Sequence, residues 1–193
     1  MAIELLNPSH ARAYRQLMLA AFAHHPEAFV SRITRRETMP LSWWESQLDD
    51  ELSTLYGAFV EGQLVGVVGL AFEPWEDMQH KATLFGLYVG EHCRGQGLGE
   101  QLVQAVLSLA EEEPDLNVIE LTVSANSLPA LALYTRCGFQ QSGLEDCAIR
   151  VGEDYYDRVH MRRQVNRPDD PAGAGCIAAP GVDRCRTGFS APR

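Results

Sequence analysis

No apolar run in this 193-residue chain is long enough to cross a membrane; its longest apolar stretches have the length of strands. The opening MAIELLNPSH lacks the basic start and apolar middle of an export signal, so the expected setting is cytoplasmic. No CxxC pair occurs among Cys93, Cys137, Cys147, Cys176 and Cys185, and an odd number leaves one unpaired. Reduced thiols that ligate nothing are therefore expected. His24 and His25 have no spaced partners and read as a helix end, so no metal is expected. Basic charge is scarce too: 16 Lys and Arg against 26 Asp and Glu leave a net charge of −10. Such a surface disfavours nucleic acid and anionic membranes and tolerates a cationic partner such as an amine. Nothing demands an assembly beyond a monomer or homodimer.

What is present is an ordinary globular composition, 46% hydrophobic and 22% charged, at a length that suits one domain. From Asn166 onward, NRPDDPAGAGCIAAPGVDRCRTGFSAPR is rich in Pro, Gly and Ala and has no apolar period, which predicts a disordered tail over 166–193. Residues 1–165 form the folded domain and hold the acidic excess. Ile3 to Leu6 reads as a strand, Pro8 opens a helix with Ala13, Leu17, Ala20 and Ala21 on one face, and a second helix runs through Trp43 to Leu48. TLYGAFVE and LVGVVGLAF flank Gly62-Gln63 as a hairpin, and KATLFGLYV is a third long strand. Leu98, Leu102, Val103, Val106 and Leu109 mark a helix that ends before Pro114. NVIELTV is a strand, LPALALYTRC a helix stopped by Gly138, and two strands follow, around Phe139 to Ile149 and Tyr155 to Arg163. The order β, α, α, β, β, β, α, β, α, β, β predicts an α/β or α+β layer protein, a mixed sheet with helices on both faces.

Between KATLFGLYV and the third helix lies Gly95-Gln96-Gly97-Leu98-Gly99. A Walker loop is excluded because no Lys follows the glycines. A dinucleotide fingerprint misses by one position: the third glycine falls at Gly99 and Glu100 occupies its slot, although Glu120 lies at a suitable distance for a ribose-binding acid. A strand-to-helix turn with nothing bound is also open. The physical case favours a bound anion. Glycines there let backbone amides converge, the helix start offers unpaired amides and the positive end of its dipole, and Arg94 adds charge. These are the parts of a pyrophosphate cradle.

Arg94-Gly95-Gln96-Gly97-Leu98-Gly99 resembles the (Gln/Arg)-x-x-Gly-x-(Gly/Ala) signature of the GNAT superfamily of acyl-coenzyme A-dependent N-acetyltransferases. LFGLYV resembles that family's fourth strand, and LTVSANSLPALALYTRCGF its second motif, ending Leu-Tyr-x-x-x-Gly-Phe. With HPEAF between the first helices, the likeness spans nearly all of residues 2–163. It implies a mostly antiparallel sheet of about seven strands, splayed between the fourth and fifth, and acetyl-CoA as cosubstrate.

The resemblance implies that the diphosphate of coenzyme A rests on amides of Arg94, Gly95, Gln96, Gly97, Leu98, Gly99 and Glu100. The pantetheine arm would pair with the backbone of Leu87, Tyr88 and Val89, and an amide at or near Leu87 would polarise the thioester carbonyl. Tyr134 occupies the general-acid position. An Asn is common seven residues before that Tyr; this chain has Ser127 there and Asn126 one place earlier, either able to bond the pantetheine or to cap the helix. Relatives that acetylate ribosomal-protein N-termini carry a Glu where this chain has Thr122. Glu120, one pleat away on the same face, is the expected base, with Glu73 as another carboxylate within the same reasoning. His160 and Tyr156 are further acceptor-site residues to consider, as are an aromatic wall of Trp43, Trp44 and Tyr155 and the carboxylates Asp154 and Asp157. The expected activity is acetyl transfer to a primary amine, on a small molecule or a peptide N-terminus. The competing reading is a non-catalytic acyl-CoA sensor on the same fold.

Overall fold

The computed structural model describes residues 1–26, 28 and 36–166. Expectations for Glu27, Phe29, Cys176, Cys185 and the tail from Arg167 on lie outside those residues. Strand β1 (Ala2–Leu5) leads to Asn7, whose side chain accepts from Ser9 N at 3.0 Å while His10 Nδ1 accepts from Asn7 N at 3.1 Å. This reciprocal cap, with Pro8 pre-set for a helical turn, feeds helix α1 (Ala11–His24). The face that α1 buries is Ala11, Tyr14, Met18, Ala21 and Phe22, rather than the predicted Ala13, Leu17 and Ala20. Alternating steps of three and four are the spacing one helix face requires. Helix α2 (Leu41–Leu48) buries Trp44 and Leu48, one turn apart.

Strands β2 (Ser53–Val60) and β3 (Gln63–Phe72) form the expected hairpin, with the turn at Glu61-Gly62 rather than Gly62-Gln63. Both turn residues have positive φ, 50° and 78°, the geometry a two-residue hairpin turn needs. Strand β4 (Lys81–Val89), helix α3 (Leu98–Glu112), strand β5 (Val118–Ser124), helix α4 (Leu128–Arg136), strand β6 (Gln140–Val151) and strand β7 (Asp154–Gln164) complete the described elements. Gly138, at φ 85°, stops the chain just past α4. The order β1-β2-β3-β4-β5-β7-β6 makes one seven-stranded sheet, antiparallel except for the β4–β5 pair.

Two cores lie on opposite faces of that sheet. On one, α3 buries Leu98, Leu102, Val103, Val106, Leu107 and Ala110, with Tyr134 of α4 beside them. Leu109, predicted to share that stripe, is half-buried at its edge. Each of the large side chains contributes about 1.5–3 kcal/mol when fully buried. On the other face α1 and α2 cover Leu55, Val67 and Tyr88. Asn166, at the start of the expected tail, is tied to the domain: its side chain donates to Ala110 O at 3.2 Å and Glu113 O at 2.8 Å. It thereby satisfies carbonyls at the end of α3 that the helix leaves unpaired.

Candidate active site

The site begins where two strands part. β4 and β5 pair at Lys81↔Val118, Ala82↔Ile119 and Thr83↔Glu120, and no pair follows. Beyond Thr83 and Glu120 the facing edges of both strands are free to take a ligand's amides. Within β4 a bulge sharpens the divergence. Gly69 opposes Phe85 and Val67 opposes Tyr88, so Gly86 and Leu87 together face the single residue Val68. Gly86 sits at φ 66°, which glycine adopts without strain. The extra residue inverts the pleat. Ala82 and Leu84 pack toward α3, and so do Leu87 and Val89, whereas Phe85 and Tyr88 pack toward α1 and α2.

The opening is a cleft of about 670 Å³. Its lining includes Leu87, Tyr88, Val89, Arg94, Gly95, Gly97, Leu98, Gly99, Glu100, Asn126, Ser127 and Tyr134, which brings together nearly every residue predicted for cofactor and acid. Gln96 and Glu120 are not in the lining. At one end Gly97 is the N-cap of α3 at φ 77°, with no side-chain cap, and Gly95 is also left-handed at φ 75°. A Cβ at Gly95 would meet nothing within 4 Å, so that flank is open for a bulky anion. Gly99 has another use. A Cβ there would lie 3.2 Å from Leu133 Cδ2, so its absence lets α3 approach α4.

Arg94 does not reach outward. Its Nε donates to Val89 O at 2.9 Å, its terminal nitrogen lies 3.0 Å from His25 Nε2, and its guanidinium sits 5.6 Å from the Tyr88 ring centre. The side chain braces the loop against the end of α1 while leaving its charge at the cleft. Arg136, 3.7 Å from Glu100, adds a second cation that sequence reasoning missed.

Tyr134 is buried, stacks edge-on against Phe139 at 5.8 Å between ring centres and lines the cleft. Burial, with a smaller push from Cys137, raises its hydroxyl well above the ordinary phenol value, so it stays protonated. Ser127 is the N-cap residue of α4, yet its side chain makes no capping bond and is available to a ligand. Ser124, also missed, is 3% exposed, lines the cleft, and its hydroxyl has no hydrogen-bond partner. A buried polar atom left unpaired is expensive, and a ligand with amides would satisfy it.

A second cavity of about 240 Å³ adjoins the cleft, sharing Ala28, Leu84, Phe85, Gly86 and Thr122 with it. Trp43 and Trp44 wall it, as the aromatic expectation had them, but Tyr155 does not. Tyr155 is 56% exposed on the β6–β7 hairpin with Arg150 above its ring. Asp157 accepts from Cys147 N at 2.8 Å, which commits it to the bulge of β6, and His160 pairs with Glu145 at 3.3 Å. Neither these two nor Glu73, Asp154 and Tyr156 line either cavity. Glu120 stands at the last paired position of β4 and β5, 3.9 Å from Lys81 Nζ. The strands have not yet parted there, which is why it misses the opening that Thr122 lines. Among the described residues lining the smaller cavity there is no carboxylate and no imidazole.

Residues 13–139 match the acetyltransferase (GNAT) family. A streptothricin acetyltransferase of Escherichia coli is 33% identical over 96 residues, 50% of this chain and 52% of that protein, so the match spans about half of that relative's length. The L-amino acid N-acetyltransferase AaaT of Escherichia coli K12 is 25% identical over 72% of this chain and 85% of its own. The structure of yncA from Salmonella typhimurium with its cofactor acetyl-CoA has the same fold, with a TM-score of 0.72 at 17% identity over 95% of this chain and 99% of that one.

Proposed function

We propose, from the premise that the chain belongs to the acetyltransferase (GNAT) family, that it transfers an acetyl group from acetyl-CoA to a primary amine. One observation carries the reading. The β4 and β5 edges left unpaired beyond Thr83 and Glu120 face a cleft lined at once by the left-handed glycines and by Tyr134. The residues fit the cosubstrate. Amides from Arg94 to Glu100 would hold its diphosphate at the start of α3, with Arg94 and Arg136 beside it. Leu87, Tyr88 and Val89 would pair with the pantetheine arm as an added strand, and Ser124, Asn126 and Ser127 would bond its amides. The free Ser124 hydroxyl supports that placement most directly.

Acetyl-CoA supplies the acetyl group and leaves as the free thiol. The amine nitrogen attacks the carbonyl carbon, and as the C–N bond forms the C–S bond breaks. A backbone amide at or beside Leu87, freed by the bulge, donates to the carbonyl oxygen where negative charge develops. The Tyr134 hydroxyl gives its proton to the departing sulfur and is reprotonated from solvent. Burial keeps the hydroxyl in the protonated form that the role needs. The proton shed by the amine goes to water, since among the described residues no carboxylate or imidazole lines the smaller cavity, where the acceptor would sit. Glu120 would reach that proton only through intervening water.

Calorimetric titration with acetyl-CoA, followed by thiol release against a panel of amines, tests the proposal. Saturable binding and acceptor-dependent thiol release are expected. Binding without release would make the protein an acyl-CoA sensor, and failure to bind would overturn both readings. Among the described residues no helix is long and apolar enough to cross a membrane. Among the described residues Cys93, Cys137 and Cys147 form no disulfide.

A further inference from the structure

The smaller cavity has a charge of its own. Arg36 lines it, half-buried, with its guanidinium 5.1 Å from the Phe22 ring centre and 5.7 Å from that of Trp43. Among the described residues no ion pair neutralises Arg36. The same wall holds Trp44, 1% exposed, whose indole Nε1 is buried with no hydrogen-bond partner. Tyr14 completes this corner. Its hydroxyl is pushed up to about 12 by burial and drawn down somewhat by Arg36, which puts that cation within electrostatic reach of it. A guanidinium and an orphaned indole N–H are both donors, and neither can accept a hydrogen bond. A half-buried guanidinium with no ion-pair partner among the described residues favours an anion. This local sign is opposite to that of the whole chain, whose net charge of −10 would draw cations to its surface.

We propose that this cavity takes an acceptor that carries a carboxylate as well as its amine, a free α-amino acid or close analogue, with the carboxylate held by Arg36. Arg36 presents a fork that matches a carboxylate. The amine is then directed to the part of the cavity shared with the cleft, at Gly86 and Thr122, where the thioester would arrive. Trp43, Trp44 and Met18 give the amino acid's side chain an apolar surface. A volume of about 240 Å³ accommodates a single amino acid. A polyamine would bring a second ammonium to a wall whose one ionised side chain, among the described residues, is already a cation. A peptide N-terminus would present an amide carbonyl where the carboxylate belongs.

This inference rests on the transferase reading, and the experiment separates the two. Steady-state thiol release is measured with free L-phenylalanine, L-leucine and L-methionine, with their carboxamides, and with spermidine, for the native protein, Arg36→Gln and Arg36→Lys. A free amino acid and its amide differ in amine basicity, so the readout is the acid-to-amide ratio of kcat/KM within each variant. In Arg36→Gln that ratio falls about 10–100-fold, the range expected for losing a charge-assisted pair, and Arg36→Lys recovers part of it. Acetyl-CoA affinity, measured by calorimetry, stays the same in both variants and shows that they are folded. A second readout needs no turnover: the N-acetylated amino acid quenches tryptophan fluorescence in the native protein and not in Arg36→Gln. The signal reports on the cavity because two of the three tryptophans wall it and Trp75 is 68% exposed. Preference for spermidine or the amides, or an unchanged ratio in Arg36→Gln, overturns the inference and leaves the transferase intact. Absence of any acetyl-CoA binding overturns both.

Discussion

The cleft proposed for acetyl-CoA and the cavity proposed for the acceptor meet at Gly86 and Thr122, and they are walled by different materials. The cleft draws on backbone: two left-handed glycines, the first amides of α3, and strand edges that lose their partners after Thr83 and Glu120. The cavity is mostly side chain, assembled from Tyr14 and Met18 of α1, Arg36, and Trp43, Trp44 and Gln47 of α2 against the sheet. A backbone site recognises what every acyl-CoA shares, whatever acyl group or acceptor comes with it. A side-chain site can be altered in charge and shape without disturbing sheet register. On the proposed function, one fold keeps a fixed donor while its acceptor is set elsewhere. The two sites should therefore respond separately to substitution, and Tyr134, at the reacting centre, should affect neither affinity.

Tyr134→Phe is the largest break. Turnover falls about 10²–10³-fold, the loss expected on removing a general acid, while acetyl-CoA Kd moves less than about 3-fold. Stopped-flow thiol release and calorimetry give the two numbers. An undiminished rate would take Tyr134 out of the chemistry and leave it a buried aromatic against Phe139. Gly97→Val comes next and should strike the cleft alone. At φ 77° a side chain costs about 1–2 kcal/mol, and relaxing that strain moves the amides at the start of α3. Acetyl-CoA Kd should rise about 10-fold, the equivalent of 1.4 kcal/mol, with the acceptor KM unchanged. A matching rise in acceptor KM would dissolve the division between the sites.

The same division explains what was legible in the sequence. Gly95, Gly97 and Gly99 lie within five consecutive residues between a strand and a helix, so the cradle is a local feature and spacing reveals it. Tyr134 follows from a motif equally local. The acceptor cavity joins residue 14 to residue 122 by packing, and no periodicity along the chain reports that. Trp43 and Trp44 were visible as aromatics, yet nothing near them indicated that Trp44 Nε1 would be unpaired or that Arg36 would stand beside it. The bulge falls between these cases. Gly86 in the middle of a β-branched and aromatic strand is a signal of a bulge, and the run Leu84, Phe85, Leu87, Tyr88, Val89 does not alternate. Glu120 failed to reach the cleft for a related reason. Its face of β5 is correctly read from the pleat, but how far along the strand the opening begins depends on the partner strand.

Ser124→Ala gives a smaller effect, and one with opposite signs in free and bound protein. Removing a buried hydroxyl with no partner should raise the stability of the free protein by about 1 kcal/mol, read as an increase in Tm. Acetyl-CoA Kd should meanwhile rise about 3–10-fold, because the bound arm loses the bond that satisfied the hydroxyl. A loss of stability in the free protein would mean that the hydroxyl already has a partner, and Ser124 would no longer mark the pantetheine path.

Glu120→Gln should do least, and its smallness is informative. The residue's carboxylate is half-exposed, faces Lys81 at 3.9 Å and lies where β4 and β5 are still hydrogen-bonded. An exposed pair of that kind contributes about 0–1 kcal/mol to stability, so Tm should barely move. The kinetic expectation is stricter. If water takes the amine's proton directly, kcat/KM rises with pH along the titration of the acceptor amine itself, and Glu120→Gln leaves both the plateau and the midpoint within about 2-fold of the native values. If instead the acid limb of the profile steepens or the plateau drops about 100-fold, an ordered water must connect Glu120 to the cavity at Thr122. The side-chain site would then extend into the closed end of the sheet, and the acceptor cavity would depend on β5 as much as on the helices above it.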